Sequence, residues 1–477
     1  MSNAALSNYT ISSGCTVDVL SGGSVSSTIA LSGGVLGFAG GTAQGLTAIS
    51  SGGKMILTGP MTIANGANVS ASSGAVVDFY LANLAPSNTA LVNNLSLIQG
   101  APDYTITVSG TNAYGLYTLA NGAPAYYSGS MELYRGSDSL GTLSVGGTIS
   151  RDYKKYLLKE TGSTLSLNIA ERRIRSDINQ NRKSDVIFYE SSGEHRLGYW
   201  LDGTNTWLGQ SPLSSGWDVL GGYDMNSDGY ADLVATMKGT SFVEIRYFGS
   251  GTVSPGASNY TSIGSRSQAS LTEWNVKVGN LTGNTGKNSI VWHNTSSGVL
   301  DVWKDGTTSS TQLGSYATSS GWAMRGCGDF NGDGKDSVLM TLNGSDFRAV
   351  DLTGSTGVET MLGTATWTGW DVRAIGDFSG DGKDDIILFY QESGSMVKLI
   401  DGSATNYESI GQLSAYDENH NPDWSIVGCG DYNGDGKDDL LVKQSSTTIL
   451  GYYSEGIQDT SHWVNMGNGV NGWNIIA

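Results

Sequence analysis

Six short acidic stretches in the second part of the chain carry side chains suited to chemistry: SDINQNRKSDVIF, YDMNSDGYADLVA, GNLTGNTGKNSIVW, GDFNGDGKDSVLM, GDFSGDGKDDIIL and GDYNGDGKDDLLV. Their first ligand-type residues are Asp177, Asp224, Asn280, Asp329, Asp377 and Asp431, 47 to 56 residues apart. Side-chain oxygens at positions 1, 3, 5 and 9 of a tight Gly-containing turn can converge on one point, and a backbone carbonyl near position 7 adds a donor. Hard oxygen donors in that number select Ca2+ over transition metals. A lone Asp/Asn-Gly cluster is commonly just a turn; six in phase over 300 residues point to a shared purpose.

The candidate ligands differ from loop to loop. Asp224, Asn226, Asp228 and Asp232 supply three carboxylates, as do Asp377, Ser379, Asp381 and Asp385, and Asp431, Asn433, Asp435 and Asp439. Asp177, Asn179, Asn181 and Asp185 supply two, so weaker binding is expected there. The fourth loop keeps Asp329, Asn331 and Asp333 but has Ser337 at position 9, with Asp336 a poor substitute. Asn280, Thr282, Asn284 and Asn288 offer no carboxylate, so the third loop is expected to be metal-free.

Each loop needs a scaffold, and a second marker supplies it. GWDVLGGYD, EWNVKVGN, GWAMRGCGD, GWDVRAIGD and DWSIVGCGD each place a Trp six or seven residues before a loop. Every unit also holds four strand-like runs; in the fifth these are 370–375, 385–390, 396–400 and 407–411. Four antiparallel strands per repeat of about 50 residues is the pattern of a propeller blade. The first loop lacks a preceding Trp-strand, whereas the chain ends NGWNIIA with no loop after it. The expectation is a six-bladed propeller, with seven blades the alternative, in which 473–476 completes the blade begun at Asp177 and leaves no open edge.

These units resemble FG-GAP/VCBS repeats over 171–477. The resemblance implies a β-propeller with several structural Ca2+ ions in the loops between first and second strands, each ion relieving repulsion among carboxylates.

Residues 1–90 follow another rule. Gly-Gly pairs at 22–23, 33–34, 40–41 and 52–53 punctuate segments with alternating apolar residues, such as Val17 and Val19, Ile29 and Leu31, Met55 and Leu57. Glycine supplies the positive φ that sharp corners need, and stacking of successive coils buries such small faces. A β-solenoid is expected rather than a Gly/Ser linker. GGTAQGLTAISSGG and SGGSVSSTIALSGG resemble passenger repeats of AIDA-type autotransporter adhesins, which implies a bacterial surface or secreted location. No terminal stretch looks like that family's translocator barrel. Residues 91–170 lose the Gly-Gly rhythm, keep the period of two and gain tyrosine, and so read as a β cap or connector.

Charge separates the two bodies. Residues 1–170 hold 6 Lys/Arg and 7 Asp/Glu, whereas 171–477 hold 20 and 37, together with all twelve tryptophans. The formal net charge of −18 disfavours nucleic acid as a partner. Cys15, Cys327 and Cys429 cannot build a disulfide framework; the last two read as buried free thiols. No apolar run suggests a transmembrane segment. The opening Met-Ser-Asn-Ala has no signal-peptide features and reads as a cloning remnant on an excised fragment.

No hydrolase, metalloprotease, phosphate-loop or zinc signature is present, and His195, His293, His420 and His462 are scattered among units as surface or turn residues. The expected role is therefore non-catalytic: a calcium-stabilised, secreted or surface-displayed recognition module, adhesin-like, for an extracellular glycan or protein. The alternatives are a secreted polysaccharide-active enzyme or its accessory domain, and a structural spacer. Candidate ligand contacts are Trp367 and, in the loop 415–424, Tyr416, Asp417 and His420.

Overall fold

A computed structural model describes residues 4–123, 129–151, 154–171, 174–190, 195–202, 204–212, 216–239, 242–248, 260–270, 272–284, 287–364, 367–413, 423–444, 449–457, 461–468 and 473–476. The chain divides into two compact units, Met1–Arg172 and Arg173–Ala477. Both are all-β; helix among the described residues is limited to short 3-10 turns such as Leu95–Leu97. None is long and apolar enough to cross a membrane.

In the first unit, short strands stack in parallel into three sheets. Thr16 pairs with Val35 and Val35 with Lys54, a step of 19 residues each time. Alternation then places Val19, Phe38, Leu57 and Phe79 in one inward column, all fully buried. The Gly-Gly pairs sit at the corners. Gly33 has φ +71°, and a methyl group on Gly34 would lie 2.3 Å from the Ile11 carbonyl oxygen. The corners themselves stack: the Gly14 amide donates to Gly33, Gly33 to Gly52 and Gly52 to Gly74, at 2.8–2.9 Å.

Parallel stacking runs on past residue 90. Asp103–Val108 adds to Val76–Tyr80, and Ser130–Arg135 adds to Asp103–Val108, before antiparallel Asp138–Ser144 ends the ladder. A separate antiparallel sheet holds Gly115–Ala120, Thr148–Arg151, Lys154–Thr161 and Thr164–Glu171. One apolar core contains side chains from Ile11 to Ile169. The corner chemistry changes near residue 90 while the inward alternation persists, so packing continues where the sequence rhythm breaks.

The described residues of the second unit form six four-stranded antiparallel sheets. Five begin with a Trp-strand: Trp217–Tyr223, Trp274–Gly279, Trp322–Gly328, Trp370–Gly376 and Trp424–Gly430. In the first sheet the corresponding place is taken by the tail strand Asn474–Ile476, which pairs with Val186–Tyr189 in the register Ile187–Ile476, Phe188–Ile475 and Tyr189–Asn474. Each second strand is a nearly continuous apolar run because neighbouring sheets cover both faces. Val186 and Phe188 pack with Leu441 and Tyr452 of the sixth sheet, whereas Ile187 and Tyr189 pack with Trp217 and Leu233 of the second.

Deleting residues 473–477 would strip Val186–Tyr189 of its partner and expose an edge. The expected result is a melting transition lowered by several degrees and concentration-dependent association in sedimentation. A truncated chain that melts and sediments like the parent would contradict a structural role for this strand.

Candidate functional site: the acidic loops

The acidic loops join the first and second strands of five sheets and lead into Val186–Tyr189 in the first, and their side chains fold inward onto their own backbone. In the fourth loop, Asp329 accepts from the amides of Gly332 at 2.8 Å, Asp333 at 3.1 Å and Gly334 at 2.8 Å. Asn331 accepts from Asp333 at 2.8 Å, and Asp333 from Lys335 at 2.9 Å. The sixth loop repeats this with Asp431, Asn433 and Asp435. The second does so with Asp224, Asn226 and Asp228, and the fifth with Asp377, Ser379 and Asp381. Glycines make this curl possible: Gly332, Gly334, Gly380, Gly382, Gly434 and Gly436 all have positive φ. The first loop adopts it without glycine, through Gln180 at +58° and Arg182 at +77°, at a cost of roughly 1–2 kcal/mol per residue.

Position 9 opens each second strand and points back into the loop. Asp185, Asp232 and Asp439 accept from the amides of Ile178, Met225 and Tyr432 at 2.7–2.9 Å, and all three are fully buried. Asp177 Oδ1 and Asp385 Oδ2 are buried with no hydrogen-bond partner. Among the described residues, no three Asp, Glu, His or Cys groups stand together as a ready-made cage, since most loop oxygens are turned onto loop amides. The donors are nevertheless all oxygen, and the two orphaned carboxylate oxygens fit a hard divalent cation. Positions 1, 3, 5 and 9 of a loop would hold it; its chemistry would be charge neutralisation.

Two loops depart from the expected ligand sets. In the third, one extra residue shifts the frame: Asn288 Nδ2 donates to the Asp224 carbonyl at 2.8 Å, and Ser289 Oγ takes the position-9 part by accepting from the Asp305 amide at 3.2 Å. In the fourth, Ser337 donates to Asp351, and Asp336 does not substitute for it. Asp336 instead accepts from the amide of Asn280, in the preceding loop, at 2.7 Å.

That second use recurs in the fifth and sixth loops, and the sequence reading missed it. Asp384 accepts from Asp329 N–H at 2.8 Å and Asp438 from Asp377 N–H at 2.9 Å. The position-8 amide, in turn, donates to the preceding loop's first carbonyl: Ala231 to Asp177, Asp336 to Asn280, Asp384 to Asp329, Asp438 to Asp377, and Ser184 to Asp431, each at 2.8 Å. With the Asn288 side chain joining the third loop to the second, all six loops are linked in a closed circle. The Asp of the recurring GKD was the available signal. Arg175 reaches across the circle, donating to the carbonyls of Ile375 at 2.6 Å and Cys327 at 3.4 Å, 3.8 Å from Asp384.

The proposed ligand contacts fare differently. Trp367 is buried, with Trp370 and Tyr407 edge-on at 5.4 and 5.0 Å, so it is a packing residue and not an open platform. Tyr416, Asp417 and His420 lie outside the described residues. His293 is buried and bonds the Tyr316 carbonyl at 2.7 Å, which corrects its reading as a surface or turn residue. Cys327 and Cys429 are buried free thiols.

Among known proteins, an FG-GAP-like repeat profile matches residues 377–442, the fifth and sixth loops with the strands between them. Similar solved structures include a protein from Lactobacillus plantarum (TM-score 0.39, 11% identity, covering 60% of this chain and 82% of that one). Others are an auxiliary nutrient binding protein from Bacteroides thetaiotaomicron (0.32, 8%, 65% and 88%) and the Dos1 propeller (0.31, 10%, 66% and 74%). No curated protein matches. Residues 377–442 of the second unit thus carry an FG-GAP-like repeat.

Burial raises the carboxyl pKa of Asp177 to about 6, of Asp185 and Asp385 to about 7, and of Asp439 to about 8. A carboxyl raised on folding binds more protons in the native state than in the unfolded chain between those two values, so stability falls as pH rises there. In chelator, the melting temperature should therefore fall between about pH 4 and pH 8, with the steepest loss between about 5 and 6, where all four carboxyls hold a proton in the folded state alone. Saturating Ca2+ should flatten that slope. A chelated melting temperature that rises through this window would contradict the assignment.

Proposed function

We propose that residues 171–477 form a six-bladed β-propeller whose acidic loops bind several structural Ca2+ ions. The whole chain is then a non-catalytic, extracellular recognition module, secreted or displayed on a bacterial surface, for a glycan or protein ligand. The observation that carries this reading is the closed circle of six oxygen-lined loops, which holds buried carboxylate oxygens without partners. Concentrated negative charge at fixed positions is destabilising unless a cation or donated hydrogens balance it. Millimolar calcium outside the cell suits modest, modular sites of this kind. The shifted carboxyls of the loops are engaged with loop backbone, which fits scaffolding better than turnover. The neutral, stacked first unit supplies a body of different chemistry, and its likeness to autotransporter passenger coils supports surface display.

Two measurements test the reading. Hydrogen exchange on the full chain with and without chelator should show loss of protection in 224–232, 377–385 and 431–439, with the coils of 10–80 unchanged; identical exchange in both conditions refutes structural calcium. A glycan array and a panel of polysaccharides should give binding without product release. Release of oligosaccharide would replace the recognition reading with an enzymatic one.

A further inference from the structure

In the first, third and fifth sheets, the turn after the third strand brings a second acidic residue to the loop. Asp202, Asp305 and Asp401 all adopt left-handed backbone, with φ of 57°, 51° and 53°, a conformation costly for a non-glycine residue. In each case the backbone amide donates to position 9: Asp202 to Asp185 and Asp401 to Asp385 at 2.9 Å, and Asp305 to Ser289 at 3.2 Å. This placement sets the carboxylate beside loop positions 3 and 5 in the first and third sheets, and in the fifth near enough to position 5 for Asp401 and Asp381 to repel each other.

The loops then diverge in what they offer that carboxylate. Asp202 accepts from the side-chain amides of Asn179, at 3.0 Å, and Asn181. Asp305 accepts from Thr282 Oγ1 at 2.5 Å and Asn284 Nδ2 at 2.6 Å. Both are clasped by donated hydrogens, so their charge is satisfied inside the protein. In the fifth sheet, position 5 is Asp381, which has no hydrogen to give. Lys383 Nζ reaches Asp401 Oδ2 at 2.7 Å, yet Asp401 Oδ1 and the fully buried Asp385 Oδ2 are left with no partner.

We propose that Asp401, from outside the loop, is a ligand of the cation held by the fifth-sheet loop, whereas Asp202 and Asp305 are clasped by Asn and Thr donors in place of an ion. The inference rests on the reading that these loops bind calcium and adds a residue that the loop pattern does not contain. Asp381, Asp385 and Asp401 supply three carboxylates from two segments, and with Asp377 the oxygens match the hard set that a divalent cation takes. Asn at position 5 satisfies the extra aspartate within the protein; Asp leaves that aspartate an oxygen for a cation.

Calorimetric titration of the chelated full chain with CaCl2 tests this, beside thermal melting in chelator. Relative to the parent chain, Asp401→Asn should lose one equivalent of calcium or weaken one site by about ten-fold or more. Asp305→Asn should leave the calcium equivalents unchanged. Asp381→Asn should rebuild the Asn–Asp clasp: it loses the same equivalent, yet melts above the parent in chelator, which a merely damaged fold would not do. Parent binding with an unaltered Asp401→Asn titration overturns the assignment of Asp401 alone. An Asp381→Asn chain that keeps its full calcium complement does the same. A parent chain that takes up no calcium overturns both this assignment and the reading on which it rests.

Discussion

The second unit depends on a circle of hydrogen bonds. Five loops receive, on the carbonyl of their first residue, the position-8 amide of the next, and the Asn288 side chain makes the remaining link. The link from Ser184 to Asp431 joins the first loop to the last. Because the loops lead into the second strands, fixing them fixes how neighbouring sheets meet. The apolar second strands can then be covered on both faces, and no sheet needs a solvated side. A chain of such links with one end free would leave a sheet uncovered; the tail strand Asn474–Ile476 and the Ser184 link remove that end together.

Closing a circle of acidic loops concentrates charge, and the protein answers it by three chemically distinct means. Loop amides absorb most carboxylate oxygens. Asparagine and threonine donors hold the extra aspartates of the first and third sheets. Arg175 supplies a cation beside Asp384, whose carboxyl burial lifts to about 7. What remains unbalanced is local, at Asp177 Oδ1, Asp385 Oδ2 and Asp401 Oδ1. The second body's surplus of negative residues is thus distributed by position, and the composition of a single loop does not reveal which residues are already satisfied.

Much of this was legible from spacing. The Trp-strands, the loops and the complementary deficit at Asp177 and surplus at the tail lie in the sequence as patterns with a fixed period, and strand pairing obeys them. The parallel coils follow from Gly-Gly corners and alternation, although packing past residue 90 does not respect the change in rhythm. What spacing could not give was direction. Asp336, Asp384 and Asp438 stand next to position 9 yet turn to another loop, because strand geometry sends successive side chains to opposite sides. The third loop's extra residue moves Ser289 into the place assigned to Asn288. Trp367 has the composition of a sugar platform, but the packed rings of Trp370 and Tyr407 make it core. Asp401 arrives from a different turn altogether, where no local motif announces it.

The two units meet one geometrical demand in different ways. Short strands joined by tight corners always leave unpaired backbone at the ends of a sheet. The first unit translates: each coil's corner hydrogen-bonds to the next through Gly14, Gly33, Gly52 and Gly74, and antiparallel Asp138–Ser144 follows the last parallel strand. Translation needs small residues, because backbones approach within a methyl group of one another, and it needs little charge. The second unit rotates, so each corner must hold a turn and also grip its neighbour at an angle. Carboxylates do both, since one oxygen can bind its own loop while a neighbouring residue binds the next. That advantage carries an electrostatic penalty that translation avoids, which is why the acidic residues and the glycine corners segregate into separate bodies.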